Sequence, residues 1–569
     1  MTEQPSTLGK KSRNKLTAII AIVVAIIIVA AVVVIVVEEK KPTTTATSKT
    51  VVFYTWWANS GKVALDHLGP NFTAATGYTM TPYISPGAGG TNAIYAILSL
   101  IEAGKPPDTF QVHYGPAMLS YVEAASNGTK AFVNMGPVMN QMNITNNIFP
   151  SVLEAGEFNG LPLSMPVNLH QGAQLFFNPQ ILKKYDLPIP NNISTLVSDT
   201  LALKQDGVTP WIIPGGDGGW DQLNLWEDIF LGLAGNTMYD EFMYGTLNMS
   251  NPSVMHIMNE TCDIYSIFQN DSYPGEQSMT WIQAIPEVTS GDVAFQVNGN
   301  WYTNYAYDFL HVVNYPAAPP YDNNLSAQNL SLTNHPVTYN GTEITLMSTD
   351  FPNTSKYYAA VVDSVAIPTG PTQGPGLIFV KYFASYAGQK IWTQWKGVTF
   401  YDNVTTDWYN TPAQWYSYLQ AKSTPPNDWV YQLSDGGLFA EPFAAADTAM
   451  TSFSESFTST SSPATFRAAV SILETSMKGV ISSEESSWLA ANSLGLGYMG
   501  SPGHPFGGYL PYWANTSANR TASIPTDAFA DSAGDIGVSH STHGYKYVYI
   551  SPFSIEYLEN IVTNAISKL

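Results

Sequence analysis

The chain reads as an α/β protein, and two stretches carry that prediction. Between residue 51 and about residue 167, short β-rich runs alternate with helical ones, as expected of a doubly wound lobe. Residues 84–115, ISPGAGGTNAIYAILSLIEAGKPPDTFQVHYG, hold one complete unit of that kind. A Gly-rich turn from Pro86 to Gly90 leads into a helix whose apolar side chains recur at Ile94, Ile97, Leu98 and Ile101. Pro106-Pro107-Asp108 ends it, and a short strand then runs to Gln111 and His113. The earlier strand, Val51 to Thr55, ends on the pair Trp56-Trp57. Ligands of open α/β sheets gather beyond the carboxyl ends of strands, so both ends are expected to border a crevice. Indoles beside an amide and an imidazole suit a sugar, whose ring has apolar faces and a rim of hydroxyls. Consecutive strand residues point to opposite sides, so at least one indole of the pair is expected to leave the core.

Further along, Phe176 to about Pro316 is more helical, with Trp220, Trp226 and Trp281 on amphipathic stretches. Tyr357 to Pro368 returns to strand character, and Gly374 to Gly397 reads as one amphipathic helix ending in a turn. From about Asp402 helices dominate, with Gly/Pro-rich loops at Gly500 to Gly508. Asp363 stands inside the apolar strand VVDSVAIP. A charge there is rarely buried without a partner, which favours ligand contact over a purely structural ion pair.

The N-terminus is chemically distinct. Residues 1–15 carry Lys10, Lys11, Arg13 and Lys15 against Glu3, whereas the whole chain has a formal charge of −21. Leu16 to Val37 is an uncharged run of 22 residues, almost all Ile, Val or Ala. At about 1.5 Å per residue such a helix spans a bilayer. Positive charge before it and an acidic bulk after it put the N-terminus in the cytoplasm and the rest outside. The run is long for a cleaved signal peptide and lacks a small-residue cleavage site, so a retained anchor is expected. Residues 38–50, with Pro42 and a Thr-rich run, form a tether. Fourteen Asn-X-Ser/Thr sequons agree with an outside location and with a glycoprotein. The lone Cys262 excludes an intramolecular disulfide and a Cys-rich metal site. His504, His540 and His543 lack metal-ligand spacing, so no metal or cofactor is expected. An acidic chain with 12% charged residues is also a poor match for nucleic acid.

The segments YTWW, PGAGG, GKPPDTFQVH, MPVNLH, NLWEDIF, MTWIQA, VNGNW and VVDSVAIP, in this order, resemble the glucose-binding proteins of sugar ABC transporters. The likeness is to the membrane-anchored archaeal branch of extracellular solute-binding protein family 1. It runs from about Val51 to Phe443 and continues through WLAANSLGLGYMGSPGHPFGGYLPYW. It implies a two-lobed periplasmic-binding-protein-like fold of type II, preceded by one transmembrane helix. The expected division is a basic tail (1–15), an anchor or pilin-like signal segment (16–37), a tether (38–50), an N-terminal lobe (51–167 and 357–400) and a C-terminal lobe (168–356 and 401–569). Hinge crossings are expected near Val167 to Leu169, Ser355 to Tyr358 and Thr399 to Asp402. The likeness also admits pilin-like processing near Lys15-Leu16, although a lysine there departs from the usual small residue.

Residue by residue, the resemblance places Trp56, Trp57, Trp281 and Trp301 around the sugar and makes Gln111, His113, Asp363 and Lys396 its polar contacts. Asp435 stands where related proteins carry a histidine, which replaces a potential donor by an acceptor. A glutamate of bacterial relatives is missing near Asn59, Ser60 and Gly61, so epimer preference is open. His170 lies near an expected crossing, where a structural role competes with ligand contact. The implied function is extracellular capture of a monosaccharide, with glucose ahead of galactose and mannose, and its delivery to an ABC permease by hinge closure. No enzymatic step is expected. The alternatives are an oligosaccharide-binding protein or a surface glycoside hydrolase using acids among Asp217, Asp221, Glu227 and Asp228. A pilin-like or surface-layer subunit would leave the Trp pair and Asp363 unexplained.

Overall fold

The protein is described by a computed structural model covering residues 49–87, 90–158, 161–317, 330–331, 338–339, 342–438, 440–456, 468 and 471–483. The anchor expected at 16–37, the late histidines and the segment at 488–513 lie outside these residues. Among the described residues no helix is long and apolar enough to cross a membrane.

The first elements follow the expected α/β alternation. They are β1 (Thr50–Thr55), α1 (Ser60–Thr76), β2 (Thr79–Ile84), α2 (Thr91–Glu102) and β3 (Thr109–His113). Helix α2 buries Ala93, Ile97 and Ile101, the i, i+4, i+8 row of its apolar stripe. β4 (Ser164–Gln171) is wholly buried, and the chain then passes through Gly172-Ala173 into β5 (Gln174–Phe177). The region that follows holds β6 (Thr209–Trp211), α3 (Trp220–Met243), α4 (Pro252–Asn270), α5 (Trp281–Ser290), β7 (Val293–Asn298), α6 (Trp301–Tyr305), β8 (Tyr315–Pro316) and β9 (Met347–Asp350). It continues with β10 (Tyr358–Ala366), α7 (Gln373–Phe383), α8 (Tyr386–Thr393), α9 (Pro412–Ser423), β11 (Trp429–Tyr431) and α10 (Ala440–Ser456).

Two sheets organise these elements into two lobes. In the first, β2, β1, β3 and β10 lie in that order, with β11 and β4 also paired to β10. The second has the order β8, β9, β5, β7, β6. Strand β10 enters antiparallel between β3 and β4 although about 180 residues separate it from β4, so the chain leaves the first lobe and comes back. The passage at Gly172-Ala173 lies a few residues beyond the crossing expected at Val167 to Leu169. The second, between β9 and β10, spans residues 351–357 and overlaps the expected Ser355 to Tyr358, whose last residue opens β10.

Two details depart from the sequence-based expectation. The single helix expected over Gly374 to Gly397 is two helices, because Ser385 accepts the Gly388 N–H at 3.1 Å and caps a new helix. β11 pairs in parallel with β10, so residues 429–431 belong to the first sheet rather than to the C-terminal lobe. The chain then crosses once more, over residues 432–438, before α10 packs on α3.

Candidate functional site

One wall of the central cleft is made of strand ends. Asp363 of β10 and His113 of β3 are direct cross-strand partners, and Asp363 also faces Asn168 of β4. The register slips between Asp363 and Ser364, where Ser364 meets Pro166 and Val167 is passed over. Pro166 has no N–H for the ladder, so a bulge forms here at low cost and turns neighbouring side chains. Val361 and Asp363, two residues apart on one face, both line the cleft.

Asp363 is 3% exposed and heavily partnered. Its Oδ1 accepts from Gln111 Nε2 at 2.8 Å and its Oδ2 from Asn168 Nδ2 at 3.1 Å. His113 Nε2 lies 3.9 Å from Oδ1 and His170 Nε2 lies 3.6 Å from Oδ2. Burial pushes the Asp363 carboxyl up, but His113, His170, Lys396 and the Asn168 amide outweigh it and hold the group below the usual carboxylate range. His170 is neutral. Its Nδ1–H donates to Asn300 Oδ1 at 2.5 Å, which leaves Nε2 to accept from Asn168 Nδ2 at 2.6 Å and Lys396 Nζ at 3.3 Å. Burial, reinforced by Lys396, lowers its pKa to about 3. Burial also lowers His113, against the opposing pull of Asp363. Burial lowers Lys396 in turn, while Asp363 and Asp435 pull it back up.

The facing wall is made of helix starts and one turn. Trp220 opens α3, and its Nε1–H donates to Asp435 Oδ1 at 3.2 Å. Its ring lies 5.8 Å from that of Trp301, at 30°. Trp301 in turn meets His170 edge-on at 5.0 Å and so ties the two walls together. Trp281 opens α5 under a capping box formed by Thr280 and Gln283. Its backbone N–H donates to Asp217 Oδ2 at 3.1 Å. Asp435 differs from Asp363. Burial, then the charges of Glu227 and Asp363, push its carboxyl well above the ordinary range.

Trp56 and the loops beside it complete the cleft. Trp56 meets His113 edge-on at 5.0 Å, while Trp57 is 3% exposed and packs on Phe53 and Trp392. Gly90, at φ 95°, starts α2 under the Trp56 ring, where a Cβ would lie 2.9 Å from Cδ2. Asn59 also lines the cleft, in the strained left-handed region at φ 49°. The enclosed space is about 340 Å³.

Eight of the nine residues expected at the site, Trp56, Trp57, His113, Trp281, Trp301, Asp363, Lys396 and Asp435, border this one cleft. Gln111 does not. It shares a strand face with His113 but lies one pair deeper and is fully buried, with its Oε1 accepting from Thr55 Oγ1 at 2.5 Å and from Trp56 N–H at 3.2 Å. It therefore links the Trp56 backbone to Asp363 instead of facing the cleft. His170, Trp220 and Asp217 border the cleft as well. The signal for Trp220 was the Gly-rich run GGDGGWD, which ends where a helix begins. Of the acids in that segment, Asp221 is buried and accepts from Asn298 Nδ2 at 3.1 Å, and Glu227 is fully buried against the turn that bears Asp435.

Residues 58–327 match the family model described as bacterial extracellular solute-binding protein. The chain is 48% identical over 467 residues to the glucose-binding protein GlcS of Saccharolobus solfataricus, an alignment that covers 82% of this chain and 79% of that protein. The chain belongs to the extracellular solute-binding protein family. Among solved structures it resembles a protein from a study of xylan utilization by the thermophilic bacterium Caldanaerobius polysaccharolyticus. The TM-score is 0.56 at 14% identity, over 77% of this chain and 99% of that one. A chitin oligosaccharide binding protein gives 0.55 at 13% identity, over 76% and 100%. Both likenesses concern the two-lobed fold, the one expected from the sequence of this family member.

Proposed function

We propose that the chain captures a monosaccharide, D-glucose foremost with galactose and mannose as competitors, and hands it to the membrane permease of an ABC transporter. The observation that carries this is the pairing of indoles with a partnered carboxylate and lysine around one cleft. Its volume of about 340 Å³ falls at the small end of ligand pockets, which run from ~300 to ~1,000 Å³, and suits one sugar ring. Trp56, Trp301, Trp220 and Trp281 offer ring faces, while His113, Asp363, Lys396 and Asp435 offer directed polar groups to hydroxyls. The 48% identity to a glucose-binding protein supports the same reading.

The walls come from both lobes, so a bound sugar favours the closed state through contacts that the open state lacks. Residues 16–37 anchor the chain and keep the receptor outside the cell near its permease. No chemical step is involved: of the acids in the α3 segment, Asp217, Asp221 and Glu227 serve as structural acceptors. Titrating the protein with D-glucose tests the reading. The expected result is a rise in melting temperature together with quenching of Trp fluorescence. Silence towards glucose, galactose and mannose alike would refute it.

A further inference from the structure

Glu227 was a catalytic candidate in the hydrolase alternative, yet its carboxylate does not reach the cleft. It is fully buried in α3 and gathers four donors. Oε2 accepts from the backbone N–H groups of Leu433 at 2.6 Å and Ser434 at 3.2 Å, and from the Tyr239 hydroxyl at 3.0 Å. Oε1 accepts from the Ser434 hydroxyl. Three of the four donors, all but the Tyr239 hydroxyl of α3 itself, fall on one short helical turn, Leu433–Asp435. That turn lies on the crossing over residues 432–438, between β11 in the first sheet and α10 against α3.

The next residue after the gripped pair is Asp435, which lines the cleft. Trp220 Nε1 holds its Oδ1 at 3.2 Å, and Ser434 Oγ lies 3.3 Å from its Oδ2. Gly436 follows at φ 108°, so close to His113 that a Cβ would come within 2.5 Å of the His113 Cβ. The turn is thus pinned from α3 on one side and stopped by β3 on the other. The Asp435 carboxyl has little freedom to seek a hydroxyl, because its position is inherited from Glu227.

We propose that Glu227 is the positioning residue for sugar selectivity: by clamping the turn Leu433–Asp435 onto α3 it decides which ring hydroxyl the Asp435 carboxyl can meet. Epimers differ in the direction of one hydroxyl, and a site that hydrogen-bonds a particular hydroxyl discriminates strongly against a ligand that leaves its buried groups unpaired. The proposal rests on the monosaccharide reading of the cleft.

The test is calorimetric titration of the full chain with D-glucose, D-galactose and D-mannose, for the wild type, Glu227→Gln, Asp435→Asn and the double variant. Glu227→Gln is expected to weaken the preferred sugar about tenfold, the scale of one misplaced hydrogen bond, and to weaken the other sugars less. The affinity ratio between epimers therefore narrows. The double variant is expected to bind no more weakly than Asp435→Asn alone, because Glu227 acts through Asp435. Tyr239→Phe, which removes one donor and keeps the ring, is expected to shift the ratio in the same direction by less. Thermal unfolding checks that each variant is folded. If Glu227→Gln leaves the epimer ratio at its wild-type value, or its effect adds to that of Asp435→Asn, the proposal is overturned. Should Glu227→Gln fail to fold, an unchanged ratio in Tyr239→Phe overturns it. Absence of binding of all three sugars by the wild type overturns the cleft reading instead.

Discussion

The two walls of the cleft each present a buried carboxyl, and they treat it in opposite ways. Asp363 sits on a central strand, faces Lys396, receives two amide donors and is held below the usual carboxylate range. Asp435 sits on a turn among other acids, Glu227 nearest in effect after burial, and is pushed well above that range. The strand wall supplies permanent charge from rigid neighbours in register. The helix-start wall supplies indoles and a carboxyl that keeps its proton to higher pH. A hydroxyl-rich ligand that can donate and accept is served by such an unlike pair.

The opposition can be broken most forcefully at Asp363. Replacing it by Ala removes the charge that most raises Lys396, 9% exposed, and the acceptor of the buried Gln111 and Asn168 amides, and leaving buried groups uncompensated this way costs about 3–5 kcal/mol. Denaturant unfolding should show that loss, and calorimetry should show sugar binding reduced by at least about a hundredfold, the equivalent of ~3 kcal/mol. An Asp363→Ala protein that binds and unfolds like the wild type would remove the strand wall from the account.

Acid titration separates the walls next. Burial raises Glu227 to about 7 from an ordinary 4.5, so the folded protein retains a proton that the unfolded chain gives up. Its contribution is fully present below pH 4.5 and is lost as pH rises through 7, a span worth on the order of 3 kcal/mol. His170 behaves in reverse. With a folded value near 3 against an ordinary 6.5, it contributes above pH 6.5, and that contribution is lost as the unfolded chain takes up a proton on acidification. Between pH 6.5 and about 5 the loss is about 2 kcal/mol. Difference curves of unfolding free energy against pH, wild type minus Glu227→Gln and wild type minus His170→Gln, should slope in opposite directions. Parallel curves would erase the contrast.

The smallest expected effect sharpens the comparison. Trp220→Phe keeps a ring beside Trp301 but removes the donor to Asp435 Oδ1, a hydrogen bond worth about 1 kcal/mol. Affinity for the preferred sugar should fall roughly fivefold with little change in melting temperature. A fall in stability without a fall in affinity would make Trp220 a packing residue only.

How legible these features were depended on the distance over which each is specified. The end of β1 at Trp56-Trp57 and the end of β3 at His113 follow from local runs of apolar residues and from the Gly and Pro that stop them. Asp363 announced itself as a charge in an apolar strand. Gln111 shows where such inference stops. Period-two alternation assigns it the same face as His113, but its depth depends on β10, whose Asp363 pairs with His113 and whose Val365 pairs with Gln111. That register brings together residues some 250 positions apart.

By itself the sequence determined the α/β alternation, the strand ends that supply indoles and polar groups, and the family, because these reside in short patterns and their order. The tertiary structure alone decided that the Glu227 carboxylate grips a turn 206 residues later, that Trp220 reaches Asp435, and that Asp363 meets the Gln111 and Asn168 amides from the strands on either side of it. Such pairings depend on how two separately folded sheets are joined at their crossings, and hydrogen bonds across that junction leave no periodic trace along the chain.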